Sequence, residues 1–403
     1  MSDLQRFPST EDFSRRLFER MKQVCPGMEE LELYEFRYCL NNITPQSGWE
    51  SIVLLPQDEI EQMVTSRDFY ESIQIKPVVN GCIVLDEKIE RLTQMLFIGL
   101  VARRYMVDWV NRHFYFDIRS FIFFHRTTYF SSKILEHLGG QPYWQFEKKQ
   151  GAFERAQALG YKAFAKANAE VDELFIESVK QITAAHGTPI LLAIAGATAA
   201  GKTEIVERLT RAFEQDGQQT TSIELDNFFT DRDQREARGI DSRGKEAMHF
   251  SLFLKSLEYL THGKSVRTPR YNFIDGTSSH DLEGNLKPGC TPVEIQPANI
   301  IFMEGNFPFL IEEVQHRIDI KVVYLTEDAI RLKRKWKRDM DYRKKYEPTY
   351  FRNRYFKEQF IMAEVAYRPQ MEVCDMLVDT TGAALWVTPE IAKLLDKRQE
   401  VLP

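Results

Sequence analysis

The carboxyl-terminal half of the 403-residue chain is predicted to fold as an α/β domain, a parallel sheet with helices on both faces. Short apolar runs alternate there with amphipathic helical patterns, which is typical of strand, helix, strand units. A loop rich in small residues, 196–203, joins the first apolar run to the first helical pattern. The amino-terminal part lacks this alternation, so we expect a mainly helical or α+β domain there.

The elements of the predicted α/β domain are short and follow one another closely. Strand 189–195 is continuously apolar, and helix 202–213 places four apolar side chains on one face. Strand 220–225 alternates apolar and polar residues. Further along the chain we expect helix 250–260 and the apolar strands 299–303 and 318–325.

The amino-terminal part is dominated by helical patterns. The spacing of apolar residues predicts helices at 13–24 and 86–110, whereas 31–39 fits a strand as well as a helix. Aromatic residues are dense from 113 to 130, and burial in a core explains them better than a platform for a base or sugar. An alanine-rich stretch without proline, 152–185, predicts a long connecting helix.

Length and composition set the number of domains and exclude several classes of protein. Domains usually hold about 100–200 residues. We therefore expect two, an amino-terminal domain at 1–149 and the α/β domain at 188–403, joined by a helix at 150–187. Hydrophobic residues make up 43% and charged residues 28%, which excludes a disordered or collagen-like chain. A net charge of -6 argues against a protein whose whole surface binds nucleic acid.

Cysteine usage and the lengths of the apolar runs bear on localisation. The five cysteines are widely spaced and form no Cys-x-x-Cys pair, as expected for a reduced, cytoplasmic protein. The first residues lack the apolar core of a signal peptide. No apolar run approaches the roughly 18 residues that cross a bilayer, so we expect a soluble protein without a membrane partner.

A complete phosphate-binding pattern, G-x-x-x-x-G-K-[ST], lies between the first predicted strand and its helix. It consists of Gly196, Ala197, Thr198, Ala199, Ala200, Gly201, Lys202 and Thr203. The glycines let the backbone wrap a polyphosphate, and backbone N–H groups donate into it together with the helix amino terminus. Lys202 would neutralise the β and γ phosphates, and Thr203 would offer its hydroxyl to Mg²⁺. The fold is therefore predicted to be of the P-loop NTPase type, with ATP and Mg²⁺ as ligands.

Two carboxylates follow predicted strands of this domain. Asp226 comes directly after strand 220–225, at the edge where ligands of open α/β sheets bind. A carboxylate there can accept a hydroxyl proton and orient the oxygen toward a γ-phosphoryl group, although it could also cap the next segment. Glu304 ends strand 299–303, where it would hold Mg²⁺ or its waters, the alternative being a salt bridge or a turn cap.

A strongly basic segment interrupts the acidic protein. Residues 331–357 contain twelve basic and three acidic side chains, a net charge of +9. Arginines recur along a predicted helix there, and we interpret the segment as a lid that closes over phosphates and stabilises the transferring group. A solvated basic helix and a nucleic-acid or phospholipid patch are the alternatives, and the phosphate loop in the same domain favours the lid.

Together these motifs resemble the uridine kinase and phosphoribulokinase group of P-loop kinases. The similarity runs from about 190 to 382. Beyond the phosphate loop it includes Asp226-Asn227-Phe228-Phe229, where uridine kinases have Asp-Ser-Phe-Tyr, and the segments 263–266, 269–273, 302–305, 331–339 and 374–378. The roles that the resemblance implies are a general base for Asp226, ATP and Mg²⁺ binding for Lys202, Thr203 and Glu304, and phosphate contacts for Arg334, Arg338 and Arg343. We predict that Lys202 and Arg338 also take part in catalysis and that Arg334 binds ATP.

The acceptor-binding elements depart from the family pattern. Uridine kinases carry Asp-His-Pro-x-Ala-x-Asp, whereas residues 243–249 read Arg-Gly-Lys-Glu-Ala-Met-His, which keeps only the alanine. The predicted acceptor-binding residues are Tyr271, Arg270 and Arg343, although Tyr271 could also be simply packed. By charge, Arg243, Lys245 and Arg270 would suit a phosphorylated or carboxylated acceptor. The isolated His249 and His280 are expected to be satisfied polar residues rather than metal ligands.

We predict an ATP-dependent kinase that transfers the γ-phosphoryl group to a hydroxyl of a small metabolite, a nucleoside, a sugar or a sugar phosphate. The first alternative is a switch whose ATP-binding domain regulates the amino-terminal domain without a small-molecule acceptor. A polynucleotide kinase or nucleic-acid binder that uses residues 331–357 is the second. For residues 1–149 the sequence leaves open an oligomerisation module, which would form a homo-oligomer, a regulatory ligand domain and a second substrate-specifying domain.

Overall fold

The fold was obtained as a computed structural model of the chain. The residues it describes are 10–24, 33–40, 43–66, 87–114, 132–146, 165–240, 244–326, 331, 334–335, 338–339, 343 and 366–399. Contacts divide the chain into two compact units. The helical unit comprises Met1–Ser131 with Glu327–Glu364, and the sheet unit comprises Ser132–Thr326 with Val365–Pro403.

The helical unit is built from amphipathic helices. They are α1 (Thr10–Val24), α2 (Leu33–Leu40), α3 (Gln57–Thr65), α4 (Glu87–Val101) and α5 (Val107–Phe114). In α1 the buried side chains of Phe13, Leu17 and Met21 recur every four residues and face α2, α4 and α5. Segment 31–39, for which the sequence left strand and helix open, is helical from residue 33.

The predicted helix 86–110 is two helices in the structure. The N–H groups of Arg104 and Tyr105 both donate to the carbonyl of Gly99, and Arg103 has a positive φ of 58°. The Tyr105 ring folds back onto Gly99, where a Cβ atom would lie only 2.0 Å from it. The helix ends there because the missing side chain of Gly99 gives this ring its place. The aromatic residues from 115 to 130 lie outside the described residues.

The sheet unit contains the predicted α/β domain. Its helices are α6 (Ser132–His137), α7 (Ala169–His186), α8 (Lys202–Gln215), α9 (Arg232–Ala237), α10 (Phe250–Thr261), α11 (Glu312–Gln315), α12 (Arg368–Met371) and α13 (Pro389–Gln399). Its strands are β1 (Trp144–Gln145), β2 (Ile190–Ala195), β3 (Thr220–Glu224), β4 (Val266–Thr268), β5 (Tyr271–Asn272), β6 (Thr277–Ser278), β7 (Val293–Ile295), β8 (Ile300–Gly305), β9 (Ile320–Leu325), β10 (Met376–Asp379) and β11 (Ala384–Val387).

The main sheet has the order β1-β11-β10-β9-β2-β8-β3. Strands β10, β9, β2, β8 and β3 are mutually parallel, whereas β11 and β1 add an antiparallel edge. Every residue of β2 and β8 is buried, as expected for parallel strands covered on both faces. Ile190, Leu192 and Ile194 share one core with α7, α8 and α13. The predicted α/β fold class is confirmed.

The two units do not coincide with the domain boundaries predicted at 149 and 187. Residues 132–146 belong to the sheet unit, because β1 pairs with β11 and Phe146 donates its N–H to the carbonyl of Ala383. Helix α7, the described part of the predicted connecting helix, also packs within this unit. Within the described ranges, no helix is long and apolar enough to cross a membrane.

Candidate active site

The phosphate loop 196–203 connects β2 to α8 at the carboxyl edge of the parallel strands. Gly201 caps the helix with a φ of 108°, a left-handed conformation that suits glycine. Ala199 also has a positive φ, 62°, and the Ala200 N–H donates to the Ala197 carbonyl across a tight turn. The loop thus delivers its backbone to the amino terminus of a 14-residue helix, where the helix dipole favours anions.

Strand β9 supports this loop from one side. A Cβ atom on Gly196 would lie 2.5 Å from the carbonyl oxygen of Tyr324, so only glycine fits without a shift. Thr326, just after β9, donates its hydroxyl to the carbonyl oxygen of Ala200 at 2.8 Å. The position of β9 therefore fixes both halves of the loop.

Lys202 is the first residue of α8, and its ammonium lies over the loop. Nζ donates to the carbonyl oxygens of Gly196 at 3.0 Å and Ala197 at 3.2 Å. It also donates to Oδ1 of Asn306 at 3.0 Å, immediately after β8. A phosphate held by the loop would come within reach of this ammonium. Asn306 was not predicted as a site residue, because nothing local in the sequence joins it to Lys202.

The structure brings together Thr203 and Glu304, the two residues predicted to bind Mg²⁺. The Thr203 hydroxyl lies 2.9 Å from Oε1 and 3.1 Å from Oε2 of Glu304, whose side chain is buried. Burial raises the pKa of Glu304 to about 7. Lys202 and the Thr203 hydroxyl lower this pKa, while Glu224 and Asp226 raise it.

This pair fits a magnesium ion. A hydroxyl and a carboxylate are hard oxygen donors, which Mg²⁺ prefers. Among the described residues, no group of three His, Cys, Asp or Glu side chains could hold a metal by itself. Magnesium at phosphoryl-transfer sites usually takes one or two protein ligands and completes its shell with phosphate and water oxygens. Thr203 and Glu304 are therefore sufficient as the protein's share.

Asp226 follows β3 in the 3₁₀ turn Leu225–Phe228. Its Oδ1 is buried and has no hydrogen-bond partner in the part of the chain that the structure describes. An unmet acceptor of this kind is rare in folded proteins and costs about 1–3 kcal/mol, so a donor from outside the chain would stabilise it. The acceptor hydroxyl of a substrate is such a donor.

Glu224 joins these carboxylates, although the sequence did not single it out. It ends β3 and stands opposite Glu304 of β8 in the parallel register. Burial, with the neighbouring charge of Asp226, raises the pKa of Glu224, while a hydrogen bond of 3.0 Å from Asn227 lowers it. Three carboxylates therefore influence one another beside Lys202, a concentration of titratable groups that is typical of active sites.

The predicted acceptor residue Tyr271 is packed rather than open. It is 6% exposed, its hydroxyl accepts a hydrogen bond of 3.2 Å from Arg235, and its N–H donates to Asn227 Oδ1 at 3.3 Å. The rings of Phe229 and Phe273 meet it edge-on at 5.9 and 5.1 Å. Of the two roles considered for Tyr271, these contacts favour packing over stacking on a substrate ring.

Arg243, Lys245 and Arg270 were considered for binding an anionic acceptor, and Arg270 is the one whose side chain is exposed and has no hydrogen bond or ion pair with any described residue. Its backbone N–H donates to the Ser279 hydroxyl at 2.9 Å. Lys245 pairs with Glu313 at 2.7 Å, and Arg243 lies outside the described residues. Arg270 therefore remains the candidate for an anionic group.

His249 and His280 both contact serine side chains in the sheet unit. His249 is buried and contacts the hydroxyl of Ser278 at 3.1 Å, and burial, with the nearby His280, lowers its pKa to about 4. His280 contacts Ser279 at 2.9 Å, and burial also lowers its pKa. Both side chains are satisfied polar groups in the core.

The basic residues predicted as a lid belong to the helical unit, whereas the phosphate loop belongs to the sheet unit. Arg331, Arg334 and Lys335 are buried, which differs from the solvated basic helix considered as an alternative. Roles for Arg334, Arg338 and Arg343 toward phosphates therefore stay predictions.

The fully buried Asp339 gathers three of these cations. Its carboxylate lies 2.5 Å from Lys335, 3.2 Å from Arg343 and 3.9 Å from Arg338. Burial alone would raise the pKa of Asp339, but Lys335 and the two arginines outweigh it and lower this pKa. The Asp339 carboxylate thus carries its charge although it is buried.

Comparison with known proteins places this site in context. The sequence profile of the Phosphoribulokinase / Uridine kinase family matches residues 191–384. A uridine kinase of Brevibacillus brevis is 30% identical over 160 residues, which are 39% of this chain and 69% of the relative. A phosphoribulokinase of Synechocystis is 29% identical over 152 residues, 38% of this chain and 42% of the relative. Among solved structures, a D-glycerate 3-kinase of Cryptococcus neoformans aligns with 52% of this chain and 96% of its own, with 13% identity and a TM-score of 0.35.

Proposed function

The chain belongs to the phosphoribulokinase/uridine kinase family by its residues 191–384, and from this premise we propose that it transfers the γ-phosphoryl group of ATP to a hydroxyl of a small metabolite. Kinases of this family are phosphotransferases that act on alcohol groups. The observation that carries the proposal is the buried Oδ1 of Asp226, which has no hydrogen-bond partner among the described residues and lies at the sheet edge that also holds Lys202 and Glu304.

The residues divide the reaction between them. The backbone of 196–203 and the amino terminus of α8 bind the phosphates, and Lys202 neutralises them. Mg²⁺, held by Thr203 and Glu304, would supply further charge neutralisation on the β and γ phosphates. Asp226 accepts the proton of the acceptor hydroxyl. At the same time the hydroxyl oxygen bonds to the γ-phosphorus, and the bond between the γ-phosphorus and the β–γ bridging oxygen breaks. ADP and the phosphorylated acceptor then leave.

For the acceptor we propose a sugar phosphate or another hydroxyl compound that carries an anionic group, within the wider class of nucleosides and sugars. The side chain of Arg270 has no described partner, and the next residue, Tyr271, is tied through its N–H to Asn227, beside Asp226. A guanidinium here would pair with phosphate or carboxylate in two parallel hydrogen bonds. Uridine kinase and phosphoribulokinase both occur among the relatives, so the family accommodates either acceptor class.

The experiment is phosphorylation of defined acceptors by the full chain with labelled ATP. A panel of nucleosides, sugars, sugar phosphates and hydroxy acids is screened, and products are identified by mass. We expect one class to be phosphorylated, and Asp226→Asn to lower kcat about 10²–10⁴-fold, the usual contribution of a general base, with ATP affinity unchanged. Lys202→Ala should weaken both ATP binding and turnover. Normal turnover by Asp226→Asn would disprove the assigned base.

The remaining predictions on partners are proposals with their own tests. No observation in the described residues favours the nucleotide-dependent switch. Light scattering would test for a homo-oligomer formed through residues 1–149, because the measured mass would then be a multiple of the mass of one chain. Binding of nucleic acid through residues 331–357 would weaken steeply with salt, so its absence at low salt would exclude that partner. Cytoplasmic localisation is likewise a proposal, tested by fractionation.

A further inference from the structure

Asp172 on helix α7 is a buried carboxylate outside the family-matched residues 191–384. It is 2% exposed and lies among the apolar side chains of Val171 and Phe175. Both oxygens are bonded. The hydroxyl of Tyr324 donates to Oδ1 at 2.5 Å, and Nη1 of Arg208 donates to Oδ2 at 2.5 Å.

A charge at such a position is costly. Moving a carboxylate from water into a protein core is strongly unfavourable, and a buried ion pair often stabilises a fold no more than apolar residues of the same volume would. The buried residues of α7 closest to it in sequence, Val171 and Phe175, are apolar, so an apolar residue would also serve packing at Asp172. The hydrogen-bonded carboxyl group at this position therefore points to a role in geometry.

Both hydrogen-bond partners of Asp172 lie on elements that contact the phosphate loop. Arg208 lies on α8, the helix that begins with Lys202 and Thr203. Tyr324 lies on β9, and its carbonyl oxygen is the atom that a Cβ on Gly196 would strike at 2.5 Å. The single carboxylate thus joins the helix that follows the loop to the strand that supports it.

We propose that Asp172 is a positioning residue for the nucleotide site: by holding Arg208 and Tyr324 together, it fixes α8 against β9 and keeps loop 196–203 in the shape that receives the phosphates of ATP. The inference rests on the proposed function, since it concerns the same loop. It extends the catalytic machinery to a helix that precedes the family-matched segment. Among the described residues, Glu173, its neighbour in sequence, also acts on the carboxylate and raises its pKa.

The test measures ATP affinity directly, by calorimetry with the full chain and Mg-ATP, in the absence of acceptor. Asp172→Asn keeps the shape of the side chain but replaces one of its two accepting oxygens with an NH₂ donor, so one of the two hydrogen bonds is lost and the Kd for ATP should rise about tenfold. The exposed carboxylate of Glu170 on the same helix supplies the matched control, because Glu170→Gln should leave the Kd unchanged. If Asp172→Asn binds ATP with the same Kd as the wild type, at a temperature well below the melting temperature of the variant, the proposal is overturned.

Two further variants separate positioning from mere stability. If Asp172 acts through Arg208, the double variant Asp172→Asn/Arg208→Gln should lose no more ATP affinity than either single variant, whereas fully additive losses would contradict this route.

Tyr324→Phe removes one hydroxyl and replaces Asp172→Asn as the test if Asp172→Asn does not fold. It should raise the Kd about threefold, and an unchanged Kd would again overturn the proposal. A chain that binds ATP but phosphorylates nothing would disprove the kinase assignment and leave this readout intact.

Discussion

Glu224 of β3 and Glu304 of β8 occupy matching positions on adjacent parallel strands. Strands in a sheet lie about 4.8 Å apart, and matched residues of parallel neighbours project to the same face, so two carboxylates are held side by side. Burial raises the pKa of both side chains, and the charge of Glu224 raises the pKa of Glu304 further. The acidic edge of the site thus holds its protons more tightly than isolated carboxylates would.

The first prediction concerns this pair. Glu224→Gln removes a negative charge beside Glu304, so the pKa of Glu304 should fall from its raised value of about 7. Carbon-13 NMR of the glutamate carboxyl groups follows this titration in the ligand-free protein. Glu214→Gln, at an exposed position near the end of α8, is the control and should leave the titration unchanged. A pKa that rises or stays constant in Glu224→Gln would show that the two groups do not interact.

The contact between Gly196 and Tyr324 gives the second prediction. A methyl group at residue 196 meets a backbone carbonyl at 2.5 Å, and neither strand β2 nor β9 can yield easily within the sheet. Gly196→Ala should therefore abolish measurable ATP binding while the circular dichroism spectrum remains native. At Gly244 an added Cβ meets only the flexible carboxylate of Glu246, also at 2.5 Å, so Gly244→Ala should bind ATP normally. Equal effects of the two variants would contradict the argument.

The third prediction concerns the hydroxyl of Thr203. Thr203→Val preserves the shape of the side chain but removes the hydrogen bond to Glu304 and the hydroxyl that we propose binds Mg²⁺. A hydrogen bond to a charged group contributes about 1.5–3 kcal/mol, so Mg²⁺-dependent ATP binding should weaken about 10–100-fold. Thr203→Ser keeps the hydroxyl and should recover most of the affinity. Mg²⁺ titration at fixed ATP measures both, and a serine variant as weak as the valine variant would refute a role for the hydroxyl.

The parts of the site that the sequence predicted are those with a local signature. Lys202 and Thr203 belong to a contiguous motif, and Asp226 and Glu304 were found because apolar runs mark where their strands end. The interaction of Glu224 with Glu304 depends on the register between β3 and β8, which no local pattern encodes. The ammonium of Lys202 reaches Asn306 only once β2 and β8 are paired.

The fold shows the same division between local and long-range information. Strands β2, β3, β8 and β9 and helices α8 and α10 follow local apolar periodicity and were predicted, whereas the shorter elements α9, α11 and β4 to β7 were not. The antiparallel edge at β1 could not be, because its pairing with β11 joins residues more than two hundred positions apart. Asp172 was hidden for a different reason: within an otherwise amphipathic helix, an acidic residue is normally a surface residue. Its burial follows from Tyr324 and Arg208, which lie far away in sequence.

The fourth prediction concerns the pH dependence of stability at Asp172. Burial raises the pKa of Asp172 to about 7, although Tyr324 and Arg208 lower it, whereas in the unfolded chain this carboxyl keeps the ordinary aspartate pKa of 3.8. Between about pH 4 and about pH 7, the range that separates the two pKa values, the folded state keeps a proton that the unfolded state has lost. The free energy of unfolding therefore falls as pH rises from about 4 to about 7, and it is insensitive to this group above and below that window.

Asp172→Asn cannot titrate at this position, so it isolates the effect. The melting temperature of the wild-type chain minus that of Asp172→Asn should decrease steadily from pH 5 to pH 7 and then level off, because the wild type alone pays for ionising a buried carboxyl. Differential scanning fluorimetry at half-unit intervals resolves the trend, and Glu170→Gln should give a flat difference. A difference that grows with pH would mean that Arg208 and Tyr324 outweigh burial and that the carboxylate is already ionised at pH 5.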